Sequence, residues 1–299
     1  MTESRAQFDA DITFRNGGGL QVQDFLLDVP SNDIAESTLA QLFIQHLGLL
    51  MVQQVDLQNV RIVTAPHRGS RGIEPASGPA RLVDLSHVIR QGMVTYPGLP
   101  GPELIPHLTR EASKEIYAPG TQFSIDRISM VGNTGTYLDS PFHRYADGAD
   151  LSGLPLEHLA DLPITLGRFT GSADRGIDAL ALAALPVAGR AVLLHTGWDS
   201  RFGTPGYGEP APYLSRDGAE FLIESGAVLV GIDSVNIDDT ASGGERPAHS
   251  LLLAAGIPVL EHLTHLDQVP VTGARLHAVP PKVAGFGTFP VRAYAVLPG

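Results

Sequence analysis

The chain has 299 residues, a formal charge of −12 at pH 7 and a hydrophobic fraction of 43%. This apolar content is sufficient for a full core, and a charged fraction of only 17% excludes a largely disordered chain. No basic run or basic face is visible, so we do not expect a nucleic-acid partner. The 33 glycines and 23 prolines predict many turns and irregular loops rather than a helical bundle.

Cysteine is absent, which excludes disulfides, thiolate nucleophiles and cysteine-based metal sites. The polar, acidic N-terminus is unlike a signal peptide. The apolar runs Leu47–Val52 and Ala227–Ile232 are far shorter than the ~20 residues of a membrane-spanning helix. We therefore expect a soluble, cytoplasmic protein without a membrane partner.

Residues 1–75 are predicted to form a small β/α unit with the order strand, strand, helix, strand. The segments Ile12–Arg15 and Leu20–Leu27 flank Asn16-Gly17-Gly18-Gly19, which predicts a hairpin. A helix is expected next, because apolar residues recur at helical spacing: Leu39, Leu42, Phe43, Leu47 and Leu50. The alternating run Val55–Val63 predicts a strand. Because this unit lacks a dense polar cluster, we expect a covering or oligomerisation role.

A linker is predicted at residues 66–80, which are rich in Gly, Pro, Ser and Arg. Residues 76–299 are then predicted to form the catalytic domain. Strand-like and helical runs alternate in this part, which predicts an α/β fold. The clearest runs are Ala191–His195, Asp217–Ser225, Ala227–Ile232, His249–Ala255, Val259–Leu266 and Arg292–Leu297.

The common nucleotide and hydrolase motifs are missing from the sequence. No Gly-x-Gly-x-x-Gly follows a strand-like run, and Gly-Lys-Ser/Thr, Gly-x-Ser-x-Gly and His-Glu-x-x-His do not occur. The chemistry is therefore expected to come from His, Asp, Glu, Tyr and Asn side chains that are scattered along the chain.

The densest polar segment is Gly132–His143. Its small residues allow the backbone to approach a ligand closely. On an extended segment Asn133, Tyr137 and Asp139 would share one face. His143 follows in a loop from which a general base could project, although Asn, Gly, Thr and Asp are also common turn formers.

A second polar cluster occurs later in the chain: His249, Glu261, His262, His265 and Asp267. On a helix, Glu261 and His265 would share one face. A carboxylate in an apolar run such as that around Glu261 is costly to bury unless it meets a cation, a metal or several donors. Asp139, His249 and Glu261 together would make a plausible site for a hard metal ion.

Further motifs occur in order along the second part of the chain: Asp84-Leu85-Ser86-His87, Gly92–Gly98, Leu194–Trp198, Gly231–Ser234, Pro280-Pro281-Lys282 and Pro290–Ala293. Residues 133–143 fit the signature His-x-Gly-Thr-His-x-Asp-x-Pro-x-His, apart from its first two histidines. His249 and Glu261 follow with a spacing of twelve. From about residue 81 to 299, the chain resembles the cyclase family that includes bacterial kynurenine formamidase and isatin hydrolase.

The resemblance implies a swivelling β/β/α fold, a homodimer or higher homo-oligomer and a small-molecule substrate. Members of the family bind one or two divalent metals, often zinc or manganese. The signature histidines and the aspartate hold one metal. The aspartate, a later histidine and a later glutamate can hold a second, and the last signature histidine moves protons. Water that a metal activates then opens an amide or a lactam.

The sequence departs from this pattern at two metal-ligand positions. Asn133 and Tyr137 stand where the resemblance implies the first and second histidines, whereas Asp139, His143, His249 and Glu261 are retained. We expect the first metal site to be lost. The trio Asp139, His249 and Glu261 could hold one divalent metal, zinc or manganese, or the site could be metal-free. Asn133 could donate to an oxyanion, and Tyr137 could donate a proton or, with a depressed pKa, accept one.

Three functions remain open at this point. The first is a hydrolase of a C–N bond in an amide, formamide or lactam, with His143 as the base and Asn133 and Tyr137 holding the carbonyl. The second is a metal-independent lyase, cyclase or dehydratase of specialised metabolism that uses His143, Tyr137 and the carboxyls of Asp139 and Glu261. In that case, the like charges would raise the pKa of one carboxyl. The third is a non-catalytic binding protein on the same fold.

Overall fold

The computed structural model describes residues 2–298 except 16, 30, 32, 48, 50–51 and 67–80. The chain divides into two compact units, Met1–Ser77 and Gly78–Gly299. Three of the predicted features lie outside the described residues: Asn16 in the predicted turn, Leu50 in the predicted helix and residues 67–80 of the predicted linker. Within the described ranges, no helix combines the length and the apolar character needed to cross a membrane.

The first unit is a three-stranded antiparallel sheet with one helix. Its elements are β1 (Thr2–Phe14), β2 (Gly19–Asp28), α1 (Glu36–Leu47) and β3 (Val52–Pro66). The strand order is β2-β1-β3, so β1 is the central strand. This is the predicted element order of strand, strand, helix and strand.

Strand β1 begins ten residues before its predicted start at Ile12, and the predicted boundary was therefore wrong. Alternate residues of β1 are buried against α1: Ala6, Phe8, Ala10 and Ile12. The ring of Phe8 meets that of Phe43 edge-on, with centroids 5.1 Å apart. The period of two was present in the sequence, but the short alanine side chains and the acidic residues between them hid the apolar face.

The second unit contains thirteen strands and four short helices within residues 81–298. The strands are β4 (Leu82–Asp84), β5 (Glu103–Leu108), β6 (Ile125–Ser129), β7 (Tyr137–Asp139), β8 (Leu162–Arg168), β9 (Gly176–Ile177), β10 (Ala191–His195), β11 (Tyr213–Leu214), β12 (Leu229–Ile232), β13 (Val259–Glu261), β14 (Thr272–His277), β15 (Thr288–Pro290) and β16 (Tyr294–Val296). The helices are α2 (Arg110–Ser113), α3 (Ala179–Leu182), α4 (Arg216–Glu224) and α5 (Pro247–Ala254).

Nine of these strands form one mixed sheet in the order β15-β7-β13-β12-β10-β8-β14-β16-β4. The four central strands, β13, β12, β10 and β8, run parallel to one another. Antiparallel strands extend the sheet on both sides. Two small sheets, β5-β6 and β9-β11, lie outside it. The main unit therefore has the predicted α/β fold.

The main sheet is buried on both faces. Along β10, Leu193 points into one apolar cluster, and Val192 and Leu194 point into the other. Helices α4 and α5 cover the second face, where Leu222 and Leu252 pack. The first cluster collects side chains from strands that are far apart in the sheet order, including β7, β14 and β16, so the sheet curls around it.

Most predicted runs of this unit agree with the observed elements. The strand Ala191–His195 is observed with the predicted bounds, and the two helices are each shifted by one or two residues. The run that begins at Val259 ends as a strand at Glu261 rather than at Leu266. The backbone leaves the strand there, because His262 and His265 adopt positive φ angles of 55° and 56°. A helix that would place Glu261 and His265 on one face is therefore wrong.

Candidate active site

Two strand pairings bring the polar residues of the predicted site onto one stretch of the sheet. In the antiparallel pair of β7 with β13, Tyr137 lies opposite Glu261. In the antiparallel pair of β7 with β15, Asp139 lies opposite Thr288. Residues that lie opposite each other in a pair have neighbouring side chains on the same face. The strand register therefore brings together Tyr137 and Glu261, which are 124 positions apart in the chain, and Asp139 and Thr288, which are 149 positions apart.

Asp139, His249 and Glu261 form a buried cluster. One potential metal-ligating atom from each residue lies within 4.8 Å of the other two. The Nε2 atom of His249 is 3.5 Å from Asp139 Oδ2 and 3.6 Å from Glu261 Oε1. The structure thus brings together the three residues that the sequence suggested as a metal site.

Asp238 orients His249 within this cluster. Its carboxylate accepts hydrogen bonds from two backbone N–H groups in the first turn of α5, those of Ala248 at 2.6 Å and His249 at 3.1 Å. Asp238 Oδ2 also lies 2.7 Å from His249 Nδ1. Because a carboxylate only accepts, Nδ1 carries the proton of this bond. The Nε2 atom is therefore the one directed at Asp139 and Glu261.

The cluster favours positive charge. Burial raises the pKa of Glu261 to about 7; the charge of His249 opposes this rise, and the carboxylate of Asp139 adds to it. Burial by itself lowers the pKa of His249, but the carboxylates of Glu261, Asp139 and Asp238 outweigh that effect and hold its pKa well above the usual value. Three buried carboxylates around one imidazole therefore call for a cation, either a proton on His249 or a metal ion.

The donor set of this cluster fits a divalent metal ion. Asp139 Oδ2 is buried and has no hydrogen-bond partner among the residues that the structure describes. When His249 is neutral, its Nε2 is a second free acceptor, because Nδ1–H is bound to Asp238. One imidazole nitrogen and carboxylate oxygens from two residues are ligands that zinc and manganese accept.

Tyr137 lies between this cluster and a second hydrogen-bonded group. Its hydroxyl donates to Glu261 Oε2 at 2.6 Å, and the Asn133 side chain hydrogen-bonds the same hydroxyl. The two ring nitrogens of His262 approach two phenols: Nε2 lies 3.3 Å from the Tyr137 hydroxyl and Nδ1 lies 2.6 Å from the Tyr207 hydroxyl. Since Tyr137 donates its proton to Glu261, Nε2 of His262 donates to Tyr137, and Nδ1 accepts from Tyr207.

This second group is electrically neutral. Burial lowers the pKa of His262 to about 3, so its imidazole carries no charge at neutral pH. Burial also raises the pKa values of Tyr137 and Tyr207 well above the usual phenol value, with the charge of Glu261 as a further cause. Tyr137 is therefore a proton donor here, whereas the sequence left open that it accepts a proton.

His143 ends the 3₁₀ turn Pro141–His143, with 37% of its side chain exposed. Its Nδ1 lies 2.7 Å from Thr288 Oγ1, and Thr288 donates its hydroxyl proton to Asp139 Oδ1. A hydroxyl has a single proton, so Nδ1 of His143 must donate to Thr288. When the imidazole is neutral, this arrangement leaves Nε2 of His143 without a proton, as a general base requires.

Two glycines allow the backbones around His143 to approach one another. A Cβ on Gly287 would lie 2.6 Å from both the Cα and the N atom of His143, and a Cβ on Gly132 would clash with the carbonyl oxygen of Thr288. Gly287 also accepts a backbone hydrogen bond of 2.8 Å from Ser140. Only glycine permits these approaches, so the positions of His143 and Thr288 depend on residues without a side chain.

A cavity of about 620 Å³ opens onto these groups, and every predicted site residue except Asp139 lines it: Asn133, Tyr137, His143, His249 and Glu261. Asp139 is fully buried beside His249. The half-buried ring of Tyr96 and the side chain of Leu99 add apolar surface to the wall. The polar residues that the sequence placed in two clusters are therefore available to one small molecule.

Some residues of the second polar cluster lie elsewhere, and some residues of the site were not foreseen. His265 is exposed, and its Nδ1 lies 2.8 Å from the backbone oxygen of Asp84. Sequence reasoning missed Asp238, Thr288 and Tyr207. Asp238 lies on the segment that follows parallel strand β12, and ligands bind beyond the carboxyl ends of such strands, so its general location carries a signal but its bond to His249 does not. The other two residues carry none.

The family model described as "Putative cyclase" matches residues 83–239 of the chain. This match covers more than half of the sequence. It includes strand β7 and the predicted site residues Asn133, Tyr137, Asp139 and His143. The chain belongs to the cyclase family.

Individual relatives agree with this assignment. The kynurenine formamidase of Geobacillus thermodenitrificans is 33% identical over 171 residues, which cover 57% of this chain and 78% of that protein. An isatin hydrolase bound to the product analogue thioisatinate superposes with a TM-score of 0.62 at 25% identity, over 74% of this chain and 93% of that one. A protein from Bacillus stearothermophilus, described as a predicted metal-dependent hydrolase, superposes with a TM-score of 0.58 at 26% identity, over 73% and 98%.

Proposed function

We propose that the chain is a small-molecule hydrolase that cleaves the C–N bond of an amide, a formamide or a lactam. The observation that carries this proposal is the convergence, on one cavity, of a cation-binding cluster and a histidine with a free Nε2. Attack of water on an amide carbonyl needs an electrophilic activator and a base, and these groups can supply both. The relatives named kynurenine formamidase and isatin hydrolase support the same reaction class.

Asp139, His249 and Glu261 would hold one divalent cation, zinc or manganese, as the activator. A cation at this position would supply Lewis-acid activation of water and of the substrate carbonyl. The carboxylates of Asp139 and Glu261 compensate its charge, and Asp238 keeps the His249 ring in position. Where the family resemblance implies a further metal, the Tyr137 phenol is buried and bound to Glu261, so a single cation is expected.

His143 moves the proton in this mechanism. Its Nε2 accepts a proton from the attacking water, and the resulting imidazolium is stabilised through Thr288 by the buried negative charge of Asp139. His143 then returns the proton to the leaving nitrogen. This return is required because an amine leaves readily only when its nitrogen is protonated.

Asn133 and Tyr137 hold the carbonyl group. The amide of Asn133 is half-buried on the cavity wall, and it can donate to the oxygen on which negative charge develops. The Tyr137 hydroxyl lies beside it and keeps its proton, because burial raises its pKa; to donate to the carbonyl, this proton must turn away from Glu261 Oε2. Both side chains are neutral donors, which suits the stabilisation of an anion that exists only in the transition state.

Elemental analysis combined with an amide screen tests the proposal. Protein purified without chelator or affinity metal should contain about one zinc or manganese per chain, and it should hydrolyse members of a panel of formanilides, acetanilides and lactams. A His143→Ala variant serves as the catalytic control. Absence of metal after incubation with Zn²⁺ and Mn²⁺, together with no hydrolysis of any panel member, would contradict the proposal.

One observation favours a second candidate, a metal-independent lyase, cyclase or dehydratase. The pKa of Glu261 is raised to about 7, so its carboxyl holds a proton near neutral pH and could act as an acid opposite His143. Metal content separates the two candidates. A metal-free protein that eliminates water from β-hydroxy carbonyl compounds, and loses this activity in Glu261→Gln, would establish the second candidate.

A further inference from the structure

Two arginines line the cavity that holds the proposed catalytic groups, and the mechanism does not use either of them. Arg144 directly follows His143, and Arg246 precedes His249 by three residues at the start of α5. Each guanidinium therefore belongs to a segment that also positions a residue of the site. Their presence calls for an explanation in terms of the substrate, because the mechanism gives them no role.

Neither arginine is neutralised by a carboxylate. Within the described part of the chain, no Asp or Glu oxygen lies within 4.0 Å of either guanidinium, whereas Arg175 and Arg201 each have a carboxylate at 3.0 Å. The charge of Arg246 contributes to the lowered pKa of Asp239, but the carboxylate of Asp239 forms a two-pronged pair with Arg175, which is the larger cause.

Neutral groups hold the two arginines in place instead. Arg144 Nε donates to the Ser250 hydroxyl at 3.4 Å, and its guanidinium carbon lies 5.6 Å from the Tyr145 ring centre. Arg246 Nη1 donates to the backbone oxygens of Glu245 at 2.7 Å and of Asp239 at 3.4 Å. These contacts leave the positive charges uncompensated and leave other N–H groups of both side chains available.

Ser250 connects the two arginine segments. Its hydroxyl donates to the backbone oxygen of Arg246 at 2.7 Å and accepts from Arg144, and the Tyr145 hydroxyl donates to the Ser250 backbone oxygen at 2.9 Å. The segment after His143 is thereby fastened to the first turns of α5. Both arginines thus belong to one hydrogen-bonded part of the cavity wall.

The charges on this part of the wall do not cancel. Glu245 also lines the cavity, but its side chain is exposed and forms no ion pair with Arg144 or Arg246. This part of the wall therefore carries two positive guanidinium groups and only one negative carboxylate, which is solvated. In a protein with a formal charge of −12, such a local excess of positive charge is suited to the binding of an anion.

We propose that the substrate carries a carboxylate apart from the C–N bond to be cleaved, and that Arg144 and Arg246 bind this carboxylate. The inference rests on the proposed hydrolase function and narrows its substrate class. The planar guanidinium matches a carboxylate with two parallel hydrogen bonds, which makes arginine suitable for this role. Tyr96 and Leu99 on the same cavity wall fit an aromatic or apolar body between the carboxylate and the amide.

Matched substrate pairs test the proposal by kinetics. The pairs are 2-, 3- and 4-formamidobenzoate and their methyl esters, which share the scissile bond and differ in charge. The wild-type protein should prefer at least one acid over its ester by about tenfold in kcat/KM. Arg144→Gln should reduce this ratio to about one, and Arg144→Lys should retain part of it. Arg216→Gln, which removes an exposed arginine of α4 away from the cavity, should leave the ratio unchanged.

Binding measurements keep this test independent of turnover. Calorimetric titration with the corresponding acetamidobenzoates and their methyl esters should show the same preference for the acid and the same loss in Arg144→Gln. Equal binding of acid and ester by the wild-type protein overturns the proposal, and so does a preference that survives in both Arg144→Gln and Arg246→Gln. Carboxylate-dependent binding without hydrolysis of any formamide supports the arginine site and contradicts the hydrolase function, so the two failures are distinguishable.

Discussion

Two buried histidines on either side of the Tyr137–Glu261 hydrogen bond have opposite electrostatic environments. The cation side comprises Asp139, His249 and Glu261, and the phenol side comprises Tyr137, His262 and Tyr207. Both imidazoles are fully buried, yet the pKa of His249 lies well above the usual value, and that of His262 is lowered to about 3. Burial lowers both values; only the carboxylates near His249 reverse the effect.

The comparison shows which part of the candidate site could hold a metal ion. Asn133 and Tyr137 stand where the family resemblance implies two histidines, and on its other side Tyr137 meets the neutral His262, which in turn binds Tyr207. The cation side keeps its acceptors, including Asp139 Oδ2, which has no hydrogen-bond partner within the described ranges. One side is therefore built to hold positive charge, and the other is built to exclude charge.

The largest expected effect comes from removing a charge on the cation side. Asp139→Asn keeps the shape of the side chain but loses the negative charge, so we expect loss of the bound metal and a fall in kcat of at least about 10³-fold. Elemental analysis and amide hydrolysis measure both effects. Tyr207→Phe removes a hydroxyl on the phenol side and should keep the metal. Retention of one metal per chain in Asp139→Asn would contradict the assignment of the cation side.

Removing the base should separate metal binding from proton transfer. His143→Ala should lower kcat by about 10²- to 10⁴-fold, the usual contribution of a general base, with a metal content equal to that of the wild-type protein. His143 donates to Thr288 and is not part of the cluster, so the cation side should remain assembled. Unchanged turnover in this variant would remove His143 from the mechanism.

The phenol side should make a pH-dependent contribution to stability. The pKa of His262 is about 3 in the folded protein and about 6.5 in the unfolded chain, so the unfolded chain takes up a proton first as the pH falls. This contribution is complete above pH 6.5 and is lost as the pH falls towards 3. Between pH 6.5 and pH 5 the loss is about 2 kcal/mol.

Comparison with a variant isolates this contribution from that of Glu261. The raised pKa of Glu261 makes the folded protein bind a proton first, so it stabilises the fold as the pH falls and opposes the effect of His262. His262→Gln keeps Glu261. The excess stability of the wild-type protein over this variant should therefore shrink by about 2 kcal/mol between pH 6.5 and pH 5. Urea unfolding with chelator present measures it, and a constant excess would show that folding does not lower the pKa of His262.

Local patterns in the sequence account for much of the fold. The continuous apolar run Ala191–His195 predicted β10 with its observed bounds, because a central parallel strand is buried on both faces. Alternation predicted the strand that begins near Val55, but the same signal failed for the first half of β1. There the apolar positions include the small residues Ala6 and Ala10. They are buried beneath α1, but alanine is too weakly hydrophobic to make the alternation visible in the sequence.

The site was predictable only where its residues lie within recognisable motifs. Asp139 and His143 stand in the signature segment, and His249 and Glu261 have the family spacing. Asp238 was not predicted, because its role depends on the turn that leads into α5. Thr288 was not predicted either, since it reaches Asp139 through the register of β15 on β7, and no local pattern reports a pairing across 149 residues.

Thr288 provides the smallest and most specific test of the cation side. Thr288→Val keeps the shape but removes the hydroxyl between His143 Nδ1 and Asp139 Oδ1, so the proton of the neutral imidazole is no longer confined to Nδ1. We expect kcat to fall by about tenfold with the metal retained, because Asp139 Oδ2 is the atom that faces His249. Thr288→Ser restores the hydroxyl and should recover most of the activity.

The split between kcat and KM distinguishes this positioning role from a packing role. Thr288 belongs to β15, which pairs with β7, and only its hydroxyl connects His143 with Asp139. If that hydroxyl positions His143, KM should stay at the wild-type value in both variants, while kcat falls in Thr288→Val alone. A tenfold loss of kcat in both variants would mean that Thr288 only packs β15 against β7.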